Sequence, residues 1–427
     1  MRIIYKGSLT LILILTVLKA YTQNYANSPY SRFGIGDLID NGFEQSRAMG
    51  GTAIGLRTPN LINYLNPASY TSQDTMSFIF DVGVSGRLNE LESNSTKKQS
   101  KNFNFNHIII GFPVTRWWKT SIGIVPYSRV GFDFIESGTL SGSNEDYSII
   151  YNGKGGVNEF YIGNAVEIAR HLSLGVNASY LFGELKQTRT ASSPTDLQAA
   201  VVEYQNHVYV HDFHFRFGLQ YYNTINEKHN LQLGVTFDNK TALGARNNDL
   251  LIRYTSFKVD TLNNTNVSDN IDIPSRLALG IAYGYKDNLL VGFDYITQDW
   301  TKGAIFGKND FLAAMNSLRF GAEFTPVSVK QKIRVSYWKY FHYRLGAHYT
   351  NTYIKVHDQQ INDYGISFGI GIPWRNSSKL FTNTSFNIAY QLGIRGALNN
   401  GLIRENYHII SFSLTLYDYW FVKRKYE

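Results

Sequence analysis

Along most of this chain apolar residues fall at every second position, in runs of about nine to twelve residues that end in a turn. Leu172, Leu174, Val176, Ala178, Tyr180 and Phe182 share one face; Ser173, Gly175, Asn177 and Ser179 share the other. The same alternation recurs over residues 231–238, 277–284, 364–372 and 410–416. A period of two belongs to strands, whose side chains point to alternate faces, and not to helices. About ten residues tilted near 45° cross a bilayer, whereas a soluble strand usually has about five or six.

The spacing between the runs adds a direction. Short links (113–119, 169–171, 223–230, 285–288, 374–379) alternate with longer polar ones (89–101, 135–156, 186–202, 241–273, 301–312, 350–360). Short periplasmic turns and long external loops produce that alternation. Trp117, Trp118, Trp300, Trp338, Trp374 and Trp420 fall near strand ends, where aromatic belts meet the membrane interfaces. The pattern predicts an all-β protein, a transmembrane antiparallel β-barrel of about fourteen strands. They begin near residues 76, 102, 119, 157, 171, 205, 230, 274, 288, 314, 333, 361, 381 and 405. An even count puts both ends of the barrel on the periplasmic side. One alternating stretch, 250–259, is left over and reads as a hairpin arm within the 241–273 loop. The last strand runs into the aromatic residues 417–421, suited to recognition by barrel assembly machinery during biogenesis, and continues into a basic tail, Lys423, Arg424 and Lys425.

Composition agrees with a chain apolar on one face only: 30 Tyr and 27 Phe coexist with a mean hydropathy of −0.23. The absence of cysteine excludes a disulfide framework, a thiolate metal site, a catalytic thiol and a lipid anchor on cysteine. The net charge of +8 is inflated by the basic start and by Lys423, Arg424 and Lys425; the other basic residues are scattered, with no run interleaved with aromatics, so nucleic acid is not an expected partner. Arg2 and Lys6 precede a ten-residue apolar run, 9–18, too short to span a bilayer as a helix. These features make 1–23 a signal peptide cleaved between Ala20 and Asn24. The expected location is the outer membrane of a Gram-negative bacterium.

Residues 24–75 do not alternate. Gly34, Gly36, Gly42, Gly50, Gly51 and Gly55 lie here among Tyr30, Phe33, Ile35, Leu38, Phe43, Met49, Ile54 and Leu65. The alternative is a disordered leader; the apolar content favours a plug inside the barrel lumen. Residues 76–427 then form the barrel with its long external loops.

Residues 48–55 (AMGGTAIG), followed by Asn66, Pro67 and Ala68 just before the first strand, resemble the N-terminal hatch of FadL-type long-chain fatty acid transporters. Residues 122–129 (IGIVPYSR), 172–177, 273–280 and 291–300 fit the same family, and the style of the sequence is similar to Bacteroidetes-type members. The resemblance implies capture of a hydrophobic ligand outside and its lateral exit into the bilayer through a kinked third strand. In this chain the kink falls at Gly123, Pro126 and Gly131, with Asn66, Pro67 and Ala68 as the hatch element facing it and Gly50 and Gly51 also in the hatch. Pro126 marks a break in pairing on physical grounds as well, since proline cannot donate to the ladder; a bulge that only shapes the barrel is the alternative.

Asp238, Asp294, Arg319 and Glu323 are expected to point inward, where they anchor the plug or bind a carboxylate headgroup. His207 and His211 share a face that His214 does not, so no metal site is expected there. No arrangement of residues suggests catalysis, and no cofactor is implied. The expected partners are outer-membrane lipids and a hydrophobic ligand. A second reading is a non-transporting subunit of an outer-membrane secretion or assembly complex, docking other subunits or surface lipoproteins through its external loops.

Overall fold

A computed structural model describes residues 28–94, 96–139, 145–196, 198–327, 335–375 and 381–419. The expected signal peptide, Trp420 and the basic tail lie outside the described residues.

Fourteen strands close into one antiparallel ring, as the alternation predicts. Its first half holds β1 Ser77–Glu92, β2 Lys97–Pro113, β3 Trp118–Thr139, β4 Asp146–Ala169, β5 Leu172–Ser192, β6 Val201–Ile225 and β7 His229–Asp238. A hairpin of β8 Thr241–Tyr254 and β9 Val259–Ile273 follows. The second half holds β10 Arg276–Tyr285, β11 Leu289–Asp299, β12 Ala314–Phe324, β13 His342–Val356, β14 Gln359–Arg375, β15 Phe381–Arg395 and β16 Arg404–Tyr419. β16 pairs with β1 from Tyr419–Ser77 to Arg404–Glu92, which closes the ring. Closure matters because no water in the bilayer core can satisfy an open sheet edge.

β7 pairs directly with β10, so β8 and β9 are an arm outside the ring. β8 runs along the outer half of β6, and β9 pairs with β8. The leftover alternation in 241–273 is thus a hairpin. Other expectations about connections need correction. β3, β4 and β6 are 22, 24 and 25 residues long, and much of the expected loops 89–101, 135–156, 186–202 and 350–360 is ladder. β4 begins at Asp146 rather than near 157. The β13–β14 link is a two-residue turn, His357 and Asp358, with φ of 51° and 59° as a type I′ hairpin requires. Beyond the bilayer both faces of a strand meet water, so the apolar alternation stops while the backbone ladder continues. The strand expected near 333 begins at His342, after a 3-10 turn at Tyr337–Tyr340 whose aromatic spacing mimics a strand. Trp117, Trp338 and Trp374 are exposed; Trp300 is instead fully buried, packed on Tyr353 with ring centres 4.6 Å apart.

The ring is apolar outside and polar inside. On β12 Phe320 is 47% exposed while its neighbour Arg319 is 3% exposed. Residues 28–75 pack on the inward faces as a 3-10 turn Pro29–Arg32, a two-residue strand Asp37–Leu38, a short helix α1 Glu44–Ala48 and a second 3-10 turn Pro67–Ser72. Met49, Ala53, Ile54 and Leu65 are completely or almost completely buried in this contact.

Candidate functional site

The N-terminal segment lies on a belt of inward glycines contributed by successive strands. Gly175, Gly218, Gly234, Gly280, Gly321 and Gly346 each face its backbone or the side chain of Asn66. At Gly346 an added Cβ would stand 2.0 Å from the Gly50 nitrogen, so any side chain there excludes the segment. Gly50 itself has φ of +69°, and a Cβ on it would meet the Ala347 carbonyl at 2.4 Å. Both positions need glycine, one for approach and one for conformation as well. The Gly50 amide donates to Ser367 Oγ at 2.8 Å, and the Gly51 carbonyl accepts from Arg319 at 3.2 Å.

Charged side chains fasten the segment between these glycines. Asp294 Oδ2 accepts the Ala53 and Ile54 amides at 2.6 and 2.9 Å. Arg319 meets the Asp40 carboxylate at 2.6 Å, and Arg276 reaches it at 3.4 Å. Burial alone would raise the Asp40 carboxyl, but Arg319 and Arg276 outweigh it and hold it below the ordinary carboxylate range. Glu323 pairs with Arg344 at 2.7 Å and accepts from Gln45 at 3.1 Å. Asp238 makes two 2.9 Å bonds to Arg216 and lies 3.7 Å from Arg276, so it reaches the segment through a chain of charges. All four expected polar residues point inward, and the structure places three of them directly on the segment. Asp37–Arg395 at 2.7 Å and Ser28–Glu405 at 2.5 Å do the same work and were missed. The strand parity that singled out Arg319 also covers Arg395 and Glu405; their partners Asp37 and Ser28 sit where the sequence has no period.

The third strand departs from its neighbour. β2 and β3 pair only from Pro113–Lys119 to Ile108–Ile124. Beyond that, residues 97–107 of β2 stay with β1, and residues 125–139 of β3 stay with β4. Val125 and Pro126 are both buried, and the β3–β4 register shifts between Pro126 and Ser128. Pro126 has no N–H to offer, so the ladder breaks where the cost is least. β3 then turns to the N-terminal segment. Asp37 and Leu38 pair with Arg129 and Ser128, the Ile39 amide donates to the Tyr127 carbonyl at 2.9 Å, and Ser128 Oγ donates to the Ile35 carbonyl at 2.6 Å. Gly131 accepts the Ser28 amide at 2.9 Å; Gly123 lies in the last paired stretch, opposite Ile109.

Among the described residues, side chains bridge the seam. Arg129 Nη2 donates to the Phe105 carbonyl at 2.6 Å, and Lys98 Nζ to the Asp133 carbonyl at 3.1 Å. Phe103, Phe105, Pro126, Arg129, Lys154 and Lys186 line a cleft of about 460 Å³ along it.

Asn66, Pro67 and Ala68 do not supply the partners of the break. Asn66 caps its 3-10 turn, accepting the Ala68 amide at 3.2 Å and donating to the Ile54 carbonyl at 2.8 Å. The turn needs a floor without side chains, and Gly175 and Gly218 on β5 and β6 provide it. The residues bonded to β3 at the break come from 28–39 instead. The three histidines do not converge: His207 reaches Glu184 at 3.1 Å and His214 reaches Thr241 at 3.0 Å.

A family model described as BamG matches residues 4–427. No curated protein matches the chain. Among solved structures, the toluene transporter TodX of P. putida has a TM-score of 0.59 at 15% identity, covering 90% of this chain and 100% of that one. A Pseudomonas aeruginosa FadL homologue gives 0.59 at 12% identity, with the same coverage. The CymD monoaromatic hydrocarbon channel gives 0.57 at 15%, covering 90% and 98%. At these identities the likeness is one of fold. The closed ring with an apolar outer face is a FadL-like outer-membrane barrel of a Gram-negative cell.

Proposed function

The chain belongs to the BamG family, and from that premise we propose that it is a non-transporting barrel subunit of outer-membrane protein-assembly machinery. In this reading residues 1–23 are removed on export from a Bacteroidetes-type cell, 24–75 plug the lumen, and 76–427 form the barrel that other subunits or surface lipoproteins dock on. The observation that carries it is the fastening of residues 28–75 to inward faces around the ring, including the β3 backbone that β2 has released. A conduit must loosen such a segment at every passage. Each hydrogen bond to a charged group is worth about 1.5–3 kcal/mol, and Asp294 alone makes two. The docking surface is the hairpin of β8 and β9. Among the described residues, β9 has β8 on one side and, on the other, residues 304–305 beside Asp272 and Ile271. The rest of that edge is exposed.

Purification of the tagged chain from native membranes in gentle detergent tests this reading. Stoichiometric recovery of barrel assembly components is expected, together with loss of growth in rich medium on gene disruption. A chain that comes out alone with a hydrophobic compound in its lumen refutes the proposal.

The open seam favours a second reading, passage of fatty-acid-like molecules with lateral exit at the kinked third strand, Gly123, Pro126 and Gly131. The fold shared with a toluene transporter and a monoaromatic hydrocarbon channel supports it. A lateral exit spares an apolar molecule transfer into water. Because the chain has no cysteine, Phe105→Cys with Arg129→Cys can test the seam by closure with a bifunctional maleimide long enough to replace the reach of the Arg129 side chain to the Phe105 carbonyl. Closure abolishes uptake under this reading and leaves assembly function intact under the first.

A further inference from the structure

Three buried side chains converge where the N-terminal segment meets β1 and β2. Glu44 opens α1, Asp81 lies on β1 and His107 on β2; each offers a ligand atom within 4.8 Å of the others. The site is built by the backbone. The β1–β2 register shifts between Gly83 and Val84, and this bulge turns both Asn106 and His107 inward. Bulges re-aim side chains in this way and recur beside functional sites. Gly83 stands opposite; a Cβ on it would lie 2.4 Å from His107 Cε1 and 2.9 Å from Glu44 Oε2.

Hydrogen bonds use up most of the polar atoms and orient the rest. His107 Nε2 meets Asp81 Oδ1 at 2.6 Å, and Thr415 donates to Asp81 Oδ2 at 2.5 Å. Asn106 Nδ2 donates to Glu44 Oε1 at 2.9 Å, and Ser85 holds Asn106 Oδ1 at 2.8 Å. Two atoms remain. Glu44 Oε2 and His107 Nδ1 are buried without a hydrogen-bond partner and face each other at 3.9 Å. In the tautomer that donates Nε2–H to Asp81, the imidazole presents a lone pair at Nδ1. Two acceptors then face each other in a site without water access, and 3.9 Å is too long for a shared proton.

We propose that Glu44 and His107 ligate a divalent first-row metal ion, with Asp81 orienting the imidazole through its other nitrogen. Zinc takes imidazole nitrogen and carboxylate oxygen at about 2.0–2.2 Å, which places one ion between atoms this far apart in a bent arrangement. The Asp81–His107 contact is the carboxylate–histidine pairing that fixes tautomer and ring orientation at metal centres. Imidazole with carboxylate and no sulfur suits Zn²⁺, Fe²⁺ or Mn²⁺. The ion ties α1 to the wall beside the point where β2 leaves β3. It does so whether the barrel docks partners or conducts, so this inference stands apart from the proposed function.

The test uses the full chain in detergent, loaded with Zn²⁺, dialysed against metal-free buffer and assayed by mass spectrometry of the metal. About one zinc per chain is expected. Glu44→Gln and His107→Gln each weaken retention by well over tenfold, and Asp81→Asn by about 10–100-fold. Heat-modifiable gel mobility checks that each variant is folded. Should a variant not assemble, the wild type still decides: a chelator lowers its denaturation midpoint and zinc restores it. A wild type that keeps no zinc, a midpoint that ignores the chelator, or a folded Glu44→Gln chain that keeps as much zinc as the wild type overturns the proposal. The last outcome would mean adventitious binding at other histidines.

Discussion

Replacing Arg319 by methionine removes a buried guanidinium at similar bulk and should release the N-terminal segment without opening the ring. Arg319 is 3% exposed and binds the segment three ways: the Asp40 carboxylate at 2.6 Å, the Asp40 carbonyl at 2.9 Å and the Gly51 carbonyl at 3.2 Å. Removing one partner of a buried pair costs about 3–5 kcal/mol, because the other charge is left without compensation. Asp40 keeps Arg276 at 3.4 Å and its side chain is 25% exposed, so the lower end, about 3 kcal/mol, applies. At 1.4 kcal/mol per decade this raises the detached population by roughly a hundredfold. The ring's own ladder does not pass through Arg319's side chain, so the strands should keep their protection. Hydrogen exchange by mass spectrometry reads both. Amides of residues 50–54 should exchange about a hundredfold faster while those of β12 and β13 do not change. A folded Arg319→Met barrel whose segment exchanges at the wild-type rate would refute the anchoring argument.

Gly346→Val puts a side chain where the Gly50 nitrogen now stands, so the segment should become sensitive to limited proteolysis in a ring that still shows heat-modifiable mobility. Asp294→Ala leaves the Ala53 and Ile54 amides without their acceptor and should destabilise the segment by about 3–6 kcal/mol for the two bonds, measured by the same exchange experiment. Asp40 is depressed in the folded chain, so its contribution is full above the unfolded carboxylate pKa, near 4, and is lost as pH falls through the lower folded value. Protection of residues 50–54 should decline below about pH 4 and should do so less in Arg319→Met. In planar bilayers the wild type should stay closed, while Arg319→Met combined with Gly346→Val conducts; an equally closed double variant would mean the segment does not block the lumen.

Much of the ring was legible because lipid enforces it. Where a strand crosses the bilayer, one face must be apolar and the other need not be, so Leu174 and Ser173, or Phe320 and Arg319, announce period, face and span together. The inward position of Asp294, Arg319 and Glu323 follows from the same parity. The pattern falls silent where that constraint ends. Outside the bilayer both faces of a strand are wet, and the ladder of β4 from Asp146, or the hairpin turn at His357, leaves no apolar signature. Pro126 foretold a break in the third strand, but not which backbone would take the released hydrogen bonds; that falls to Asp37 and Leu38, about ninety residues away in the chain. The path of residues 28–75, the belt of glycines under it and the meeting of Glu44 with Asp81 and His107 depend on contacts between elements far apart in sequence. Residue pattern determined the barrel, because each strand meets lipid by itself. What the barrel holds was decided only by closure of the ring, because that alone brings the inward faces together.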